Sequence, residues 1–222
     1  MDSRPDRVGF GLAGEECRME QIFRHAFQHN IWGDPESVSG PGSGLARTAL
    51  FRERIPPLLA EIGAKSLLDA GCGDFNWMKE LKPPGEQYIG IDIVSELITH
   101  NIQKFGRAGR RFIHGDILCY DLPKVDVILC RDCLVHFSFG HVWAALRNFK
   151  RTQSRYLLTT TFIEFPENLD VETGGWRQLN LERYPFSFPP PERLIDEKCL
   201  HTGGIYADKR LALWRLEDIA TG

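Results

Sequence analysis

From Ser66 onward, short apolar runs alternate with stretches whose apolar positions recur at helical spacing. Residues 66–70 (SLLDA), 87–92 (QYIGID), 110–114, 125–130 (VDVILC) and 155–160 (RYLLTT) read as strands, each bounded by turn residues. Helical patterns fall between them at about 74–82, 94–106 and 139–151. That alternation predicts βαβ units and a parallel sheet covered on both faces. Between Asp116 and Val125 there is no room for a full crossover helix. Two late strands, at about 193–199 and 210–216, are joined through Gly203-Gly204 and predict an antiparallel hairpin at the sheet edge.

Ahead of the first strand, residues 15–30 place Met19, Ile22, Phe23, Ala26 and Phe27 on one helical face. DPESVSGPGSG (34–44) is a loop by composition. A second helix is expected near Leu45, disturbed at Pro56-Pro57 because proline lacks the N–H and crowds the preceding turn. These elements predict a helical cap over residues 1–60 on a main domain of residues 61–222. The fold expected is α/β: a Rossmann-like, doubly wound, seven-stranded, mostly parallel sheet with a C-terminal antiparallel hairpin.

Composition adds mainly exclusions. The 222 residues, 42% hydrophobic and 26% charged, suit one soluble domain. A net charge of −3 argues against a dedicated nucleic-acid partner, although Arg107, Arg110 and Arg111 form a local basic cluster. No uncharged apolar run reaches membrane-spanning length. MDSRPDRVGF lacks an apolar signal core, so a cytoplasmic location is expected. Six scattered cysteines fit reduced thiols. Cys130 and Cys133 have metal-like spacing but no second pair, and His25 and His29 lack the glutamate of an HExxH site, so no metal is expected.

The chemistry concentrates at strand ends. In an open α/β sheet, ligands lie beyond the carboxyl ends of the strands. There Asp69-Ala-Gly71-Cys72-Gly73-Asp74 follows the first strand, and the two glycines allow a sharp, close-approaching turn. A dinucleotide loop would carry a third glycine, but Phe75 stands there, with Trp77 beyond it as a candidate for packing or for the pocket wall. Asp92 closes the second strand, nineteen positions after Gly73, where a carboxylate can accept from both ribose hydroxyls. Asp116 follows the third strand and can accept from an adenine amine, while Ile117 offers an apolar face to the ring.

Together these stretches resemble the class I S-adenosylmethionine-dependent methyltransferase family. LLDAGCGDF is similar to its first motif, YIGID to its second, HGDI to its adenine-contacting third, and DVILCRDCLVHFS to the fourth, beside the transferred methyl group. The resemblance covers about residues 60–160 and implies a cofactor site of Asp69, Gly71, Cys72, Gly73, Asp92, Ile93, Asp116, Ile117 and Arg131. Asp69 is expected to order the loop and to reach the cofactor's amino group. A cofactor without a pyrophosphate also tolerates the lost third glycine.

Methyl transfer needs alignment of acceptor and methyl carbon and, for a hydroxyl, a base. His136 and Asp132, after the fourth strand, are the candidates. Arg47, with the 39–44 loop, is a candidate for the cofactor's carboxylate or for a lid. Glu164, Trp176, Arg177 and Asn180 fall on the ligand side after the fifth strand and suit a polar substrate. Some family members place Mg²⁺ between acids such as Asp132 and Glu164, near Asn168, but the spacing here specifies no metal. The acceptor expected is a small polar molecule, with oxygen ahead of nitrogen. The alternatives are a protein or nucleic-acid methyltransferase, an NAD-dependent oxidoreductase, and a binding protein without catalysis. Oligomeric state is not legible.

Overall fold

A computed structural model describes residues 12–81, 87–199 and 203–221, with side chains from residue 18 onward. Expectations for residues 1–11, Lys82 and the Cys17 thiol lie outside the described residues. Seven strands form one sheet: β1 (Ser66–Ala70), β2 (Gln87–Asp92), β3 (Arg110–His114), β4 (Val127–Cys130), β5 (Tyr156–Phe162), β6 (Arg193–Asp196) and β7 (Lys209–Arg215). Their order is β3-β2-β1-β4-β5-β7-β6. The first five are parallel, and β7 runs antiparallel between β5 and β6. The chain moves outward from β1 to β3 and then returns to β4. The switch in direction therefore falls between β1 and β4, where a crevice opens beyond the strand ends.

Strands β1, β4 and β5 are buried on both faces, which their near-continuous apolar runs require. Helix α4 (Phe139–Arg151) covers one face with Val142, Ala145, Leu146 and Phe149. Its start is capped by the Ser138 hydroxyl, which accepts from the His141 N–H at 3.3 Å. The other face carries Phe51, Ile55, Leu58 and Leu59 of α2 (Leu45–Glu61) and Ile98 of α3 (Ser95–Phe105). Helix α1 (Leu12–Gln28) sets Met19 into the first of these cores.

Two expectations need correction. Helix α2 runs unbroken through Pro56 and Pro57. The carbonyls these prolines leave unpaired belong to Arg52 and Glu53, on the wet side of the helix, while Ile55 and Leu58 hold the opposite side in the core. Conversely, no α-helix follows β1. Residues 74–81 form turns and one 3₁₀ turn, Met78–Glu80. The apolar positions read as helical (Phe75, Trp77, Met78 and Leu81) are buried side chains of a packed loop. Phe75 adopts φ 60° and sits among Tyr88, Phe105 and Phe112, which excludes a helical backbone there. The remaining strands fall within a few residues of expectation, with β6 ending at Asp196.

Candidate active site

The loop after β1 spends its own amides. Gly71 and Cys72 N–H both donate to Ile91 O, Gly73 N–H to Asp92 Oδ2 at 2.9 Å, and Asp74 N–H to Ser39 Oγ. Buried Asn101 of α3 donates to Gly73 O. No cradle of free amides is left for a phosphate, and no long helix begins there to supply a dipole. Asp74 in turn accepts from Ser37 Oγ, Val38 N–H and Ser39 Oγ, clipping the 37–39 segment onto the loop. Gly73, at φ 55°, has room only for hydrogen, because a Cβ would collide with Ser39 Oγ. Gly73→Ala is therefore expected to cost about 1–3 kcal/mol, measurable as a lowered midpoint in denaturant. An unchanged midpoint would show that the clip is not built as described.

An open cavity lies over this loop. Its wall includes Asp69, Gly71, Cys72, Gly73, Asp92, Ile93, Asp116, Ile117, Arg131, Asp132 and His136. Asp92 accepts from Gly73 N–H and Val94 N–H; burial raises its pKa, and these bonds oppose the rise. Asp69 is buried and accepts from Tyr88 Oη at 2.8 Å. Burial pushes its carboxyl up to about 7 against that bond, with the Asp92 charge adding to the rise. A raised carboxyl stabilises the fold fully below its unfolded pKa, and the contribution is lost as pH climbs through about 7. The ligand-free protein is thus expected to melt lower at pH 8 than at pH 5, with Asp69→Asn flattening the difference. The full effect is about 4 kcal/mol. Thermal melts across that range check it, and an Asp69→Asn curve parallel to the original would refute it.

Beyond β4, two cations and two anions meet. Arg131 Nη2 contacts Glu197 Oε2 at 2.6 Å, and its Nη1 contacts Asp132 Oδ2 at 3.2 Å. Lys209 Nζ, from β7, lies 2.7 Å from Asp132 Oδ2 and 3.2 Å from Glu197 Oε2. The Arg131 guanidinium also stacks on the Phe51 ring at 4.2 Å. Burial alone would raise the Asp132 carboxyl, but Arg131 and Lys209 outweigh it and hold Asp132 well below the usual carboxylate range. Asp132 is thus a fixed anion and a poor proton acceptor.

His136 is different. Its Nδ1 lies 2.8 Å from Gly175 O; a carbonyl only accepts, so Nδ1 carries the hydrogen and Nε2 keeps its lone pair. Burial lowers its pKa, against the Gly175 bond and the Asp132 charge, so the ring is neutral near pH 7. The clamp continues around it. Gly174 N–H donates to His136 O, and Arg177 donates to Leu134 O and Val135 O.

Residues 67–154 match the family model described as a methyltransferase domain. Over residues 67–154 the chain is thus similar to methyltransferase domains, and its sheet is that of the S-adenosylmethionine-dependent methyltransferase fold. Malonyl-[acyl-carrier protein] O-methyltransferase of Yersinia pestis is 25% identical over 130 residues, covering 58% of this chain and 47% of that one. The chain thus spans about half the length of the curated relative it matches. Two solved structures, both with S-adenosylmethionine bound, share the fold. Human N-acetylserotonin methyltransferase has TM-score 0.56 and 15% identity, covering 96% of this chain and 60% of that one. Magnesium protoporphyrin IX methyltransferase of Synechocystis PCC 6803 has TM-score 0.55 and 15% identity, covering 96% and 98%.

The charge of the cavity wall suits that cofactor. Asp69, Asp74, Asp92, Asp116 and Asp132 all line it, against one guanidinium, Arg131, that is already paired. Such a wall attracts a sulfonium and an ammonium and repels a pyrophosphate.

Several expected contacts are not brought to the cavity. Arg47 sits on the exposed side of α2, whose inner side is Thr48, Phe51 and Ile55. Trp176 is 45% exposed and packs on Phe162 and Tyr206. Arg177, buried over Phe139, holds the carbonyls before His136; burial pushes its pKa down to about 10. Asn180 is buried and donates to Ile163 O and Phe165 O, so it braces the loop rather than facing a ligand. Glu164 is exposed, and only its N–H is engaged, with Asp208. Asn168 is spent on the carbonyls of Asn180 and Tyr184, so Asp132, Glu164 and Asn168 do not gather. Among the described residues no three His, Cys, Asp or Glu side chains form a metal-like group. Cys72, Cys119, Cys130, Cys133 and Cys199 are in no disulfide.

Other wall residues were not anticipated. Phe23, Phe27 and Trp32 contribute aromatic surface; Ser39 and Ser43, by contrast, belong to the 39–44 loop already singled out as a candidate. Lys209 is buried behind Asp132. Only the 39–44 loop carried a signal, its glycines and serines.

Proposed function

We propose that the chain methylates a hydroxyl of a small polar molecule. His136 carries the reading: its Nδ1–H is fixed on Gly175 O, so its neutral Nε2 remains as a proton acceptor in the cavity wall. S-adenosylmethionine, when bound, supplies a methyl carbon already activated by the sulfonium. Asp92 would accept from the ribose hydroxyls, and Asp116, Ile117 and Ile93, which line the same cavity, would receive the adenine. Asp69 faces the amino group across the turn of Gly71, Cys72 and Gly73. Arg131 holds Asp132 in place. Bound S-adenosylmethionine would supply the methyl group to the acceptor oxygen and keep the bonding pair on sulfur, and His136 Nε2 would take the hydroxyl proton. The segment of residues 32–43 and helix α1 roof the acceptor side, which is the cap reading for this region.

Oxygen is favoured over nitrogen by Asp132. A fixed anion beside the acceptor keeps an amine protonated, and an ammonium has no lone pair to alkylate. The relatives named above include enzymes for a porphyrin and for N-acetylserotonin, both small molecules. No described helix is long and apolar enough to cross a membrane, and the described cysteines, none of them in a disulfide, suit a cytoplasmic setting. Titration calorimetry tests the cofactor half: S-adenosylhomocysteine is expected to bind and NAD to give no heat. The reverse result would return the fold to oxidoreductases. Radiolabelled methyl transfer tests the other half, and tight cofactor binding without transfer to any hydroxyl compound would leave a binding protein.

A further inference from the structure

We infer that the acceptor is an uncharged ring bearing two adjacent hydroxyls, laid against Trp32 with one hydroxyl on His136 Nε2 and its neighbour on Asp132. The inference rests on the methyl-transfer reading above and narrows it. Three features of one corner of the cavity carry it.

The first is a plate beside a base. The Trp32 ring lies 5.5 Å from the His136 ring, tilted by 52°. Both residues line the cavity. Trp32 is held from behind by the turn at Gly40, where a Cβ would stand 3.0 Å from Trp32 Cβ. An aromatic face of this kind receives a flat ring or the C–H face of a saturated one.

The second is the sign of the hydrogen bonding. The corner presents acceptors: the free Nε2 of His136 and the Asp132 carboxylate, whose side chain is 28% exposed. The two cations that touch Asp132 are spent. Lys209 is shared by Asp132 and Glu197, and Arg131 by the same two carboxylates. A ligand here must bring donors, at least two of them, and adjacent hydroxyls on one ring supply them.

The third is the exclusion of anions. Phosphorylated or carboxylated acceptors would meet Asp132 and the other wall carboxylates, while the one guanidinium in the wall, Arg131, is already paired. The 41–43 turn narrows the space further, since even a Cβ on Gly42 would fall 2.9 Å from Asp132 Oδ2.

A pyranose and a catechol share this chemistry. The test measures transfer of labelled methyl from S-adenosylmethionine to methyl pyranosides and to catechol. Each is compared with a monohydroxy counterpart (cyclohexanol or phenol) and with glucose 6-phosphate and glucuronate. At least one vicinal diol is expected to exceed its monohydroxy counterpart by about 30-fold or more in kcat/KM, because a site built for a hydroxyl rejects the analogue lacking it. The anionic sugars should fall at least about 10-fold below the neutral ones. Pyranosides active with catechol silent would assign the C–H face to Trp32, and the converse a π face. Trp32→Leu should raise KM for the diol about 10-fold with S-adenosylhomocysteine affinity unchanged. Asp132→Asn should collapse the diol preference to under about threefold, with retained S-adenosylhomocysteine binding showing that it still folds. Monohydroxy compounds within threefold of the diols, preferred anionic sugars, or no diol turnover by a protein that binds S-adenosylhomocysteine would each overturn the inference. Failure to bind S-adenosylhomocysteine would instead overturn the methyl-transfer reading beneath it.

Discussion

Asp92→Ala is expected to weaken S-adenosylhomocysteine binding by about 100-fold or more. Two charge-assisted hydrogen bonds to ribose hydroxyls, each about 1.5–3 kcal/mol, together set that lower bound. The carboxylate has a second task, which makes the loss larger. It accepts from Gly73 N–H at 2.9 Å and Val94 N–H at 3.0 Å, so it ties the glycine turn to the end of β2. Removing it frees both amides and leaves the turn, with its positive φ at Gly71 and Gly73, held only by Ile91, Asn101 and Ser39. Asp92→Asn separates the two tasks, because an amide oxygen can still accept from one N–H but carries no charge. It should fall between the original and the alanine protein. Titration calorimetry gives the affinities, and thermal melts give the share due to the loop. Binding within about fivefold of the original after Asp92→Ala would mean that the ribose lies elsewhere.

The strand ends were legible because their pattern is local. Each carboxylate, Asp69, Asp92 and Asp116, directly follows an apolar run, and a parallel sheet brings such positions to one edge. The missing third glycine was also readable, and its meaning is now physical. Phe75 takes a left-handed backbone conformation and fills a ring cluster, so the chain leaves β1 as a packed loop instead of a helix. A periodic spacing of Phe75, Met78 and Leu81 could not reveal this, since a buried loop and a buried helix both need apolar residues. The long stretch after β5 misled for a related reason. A tryptophan, an arginine and an asparagine are the same residue types whether they bind a ligand or hold a loop together. Asn180 satisfies backbone carbonyls within the irregular segment of residues 163–192, and Arg177 those of Leu134 and Val135 beside it. Lys209 was invisible because its partner, Asp132, lies 77 positions away in the chain.

His136→Ala is expected to lower kcat by about 10²–10⁴-fold while leaving S-adenosylhomocysteine affinity within about twofold. Removing the imidazole removes the proton acceptor without touching the strand-end carboxylates that the cofactor reading uses. The pH profile separates a base from a merely structural ring. His136 faces Asp132, Lys209, Arg177 and the Gly175 carbonyl, and burial dominates, lowering its pKa. The active form is neutral, so kcat should rise with pH through a value below the usual histidine range and level off by neutrality. A raised pKa would have placed the limb above neutrality, and a catalytic Asp132 would place it in strong acid. In His136→Gln, which can still donate to Gly175 O from its amide, the acid limb should disappear along with the rate. Loss of rate with the limb unmoved would assign the proton to another group and leave His136 as part of the clamp formed by residues 173–177. Arg177→Met then discriminates further. It releases the carbonyls of Leu134 and Val135 and should shift the limb upward, since one positive charge facing His136 is gone. A base held by that clamp feels the change in its pKa, whereas a base located elsewhere does not.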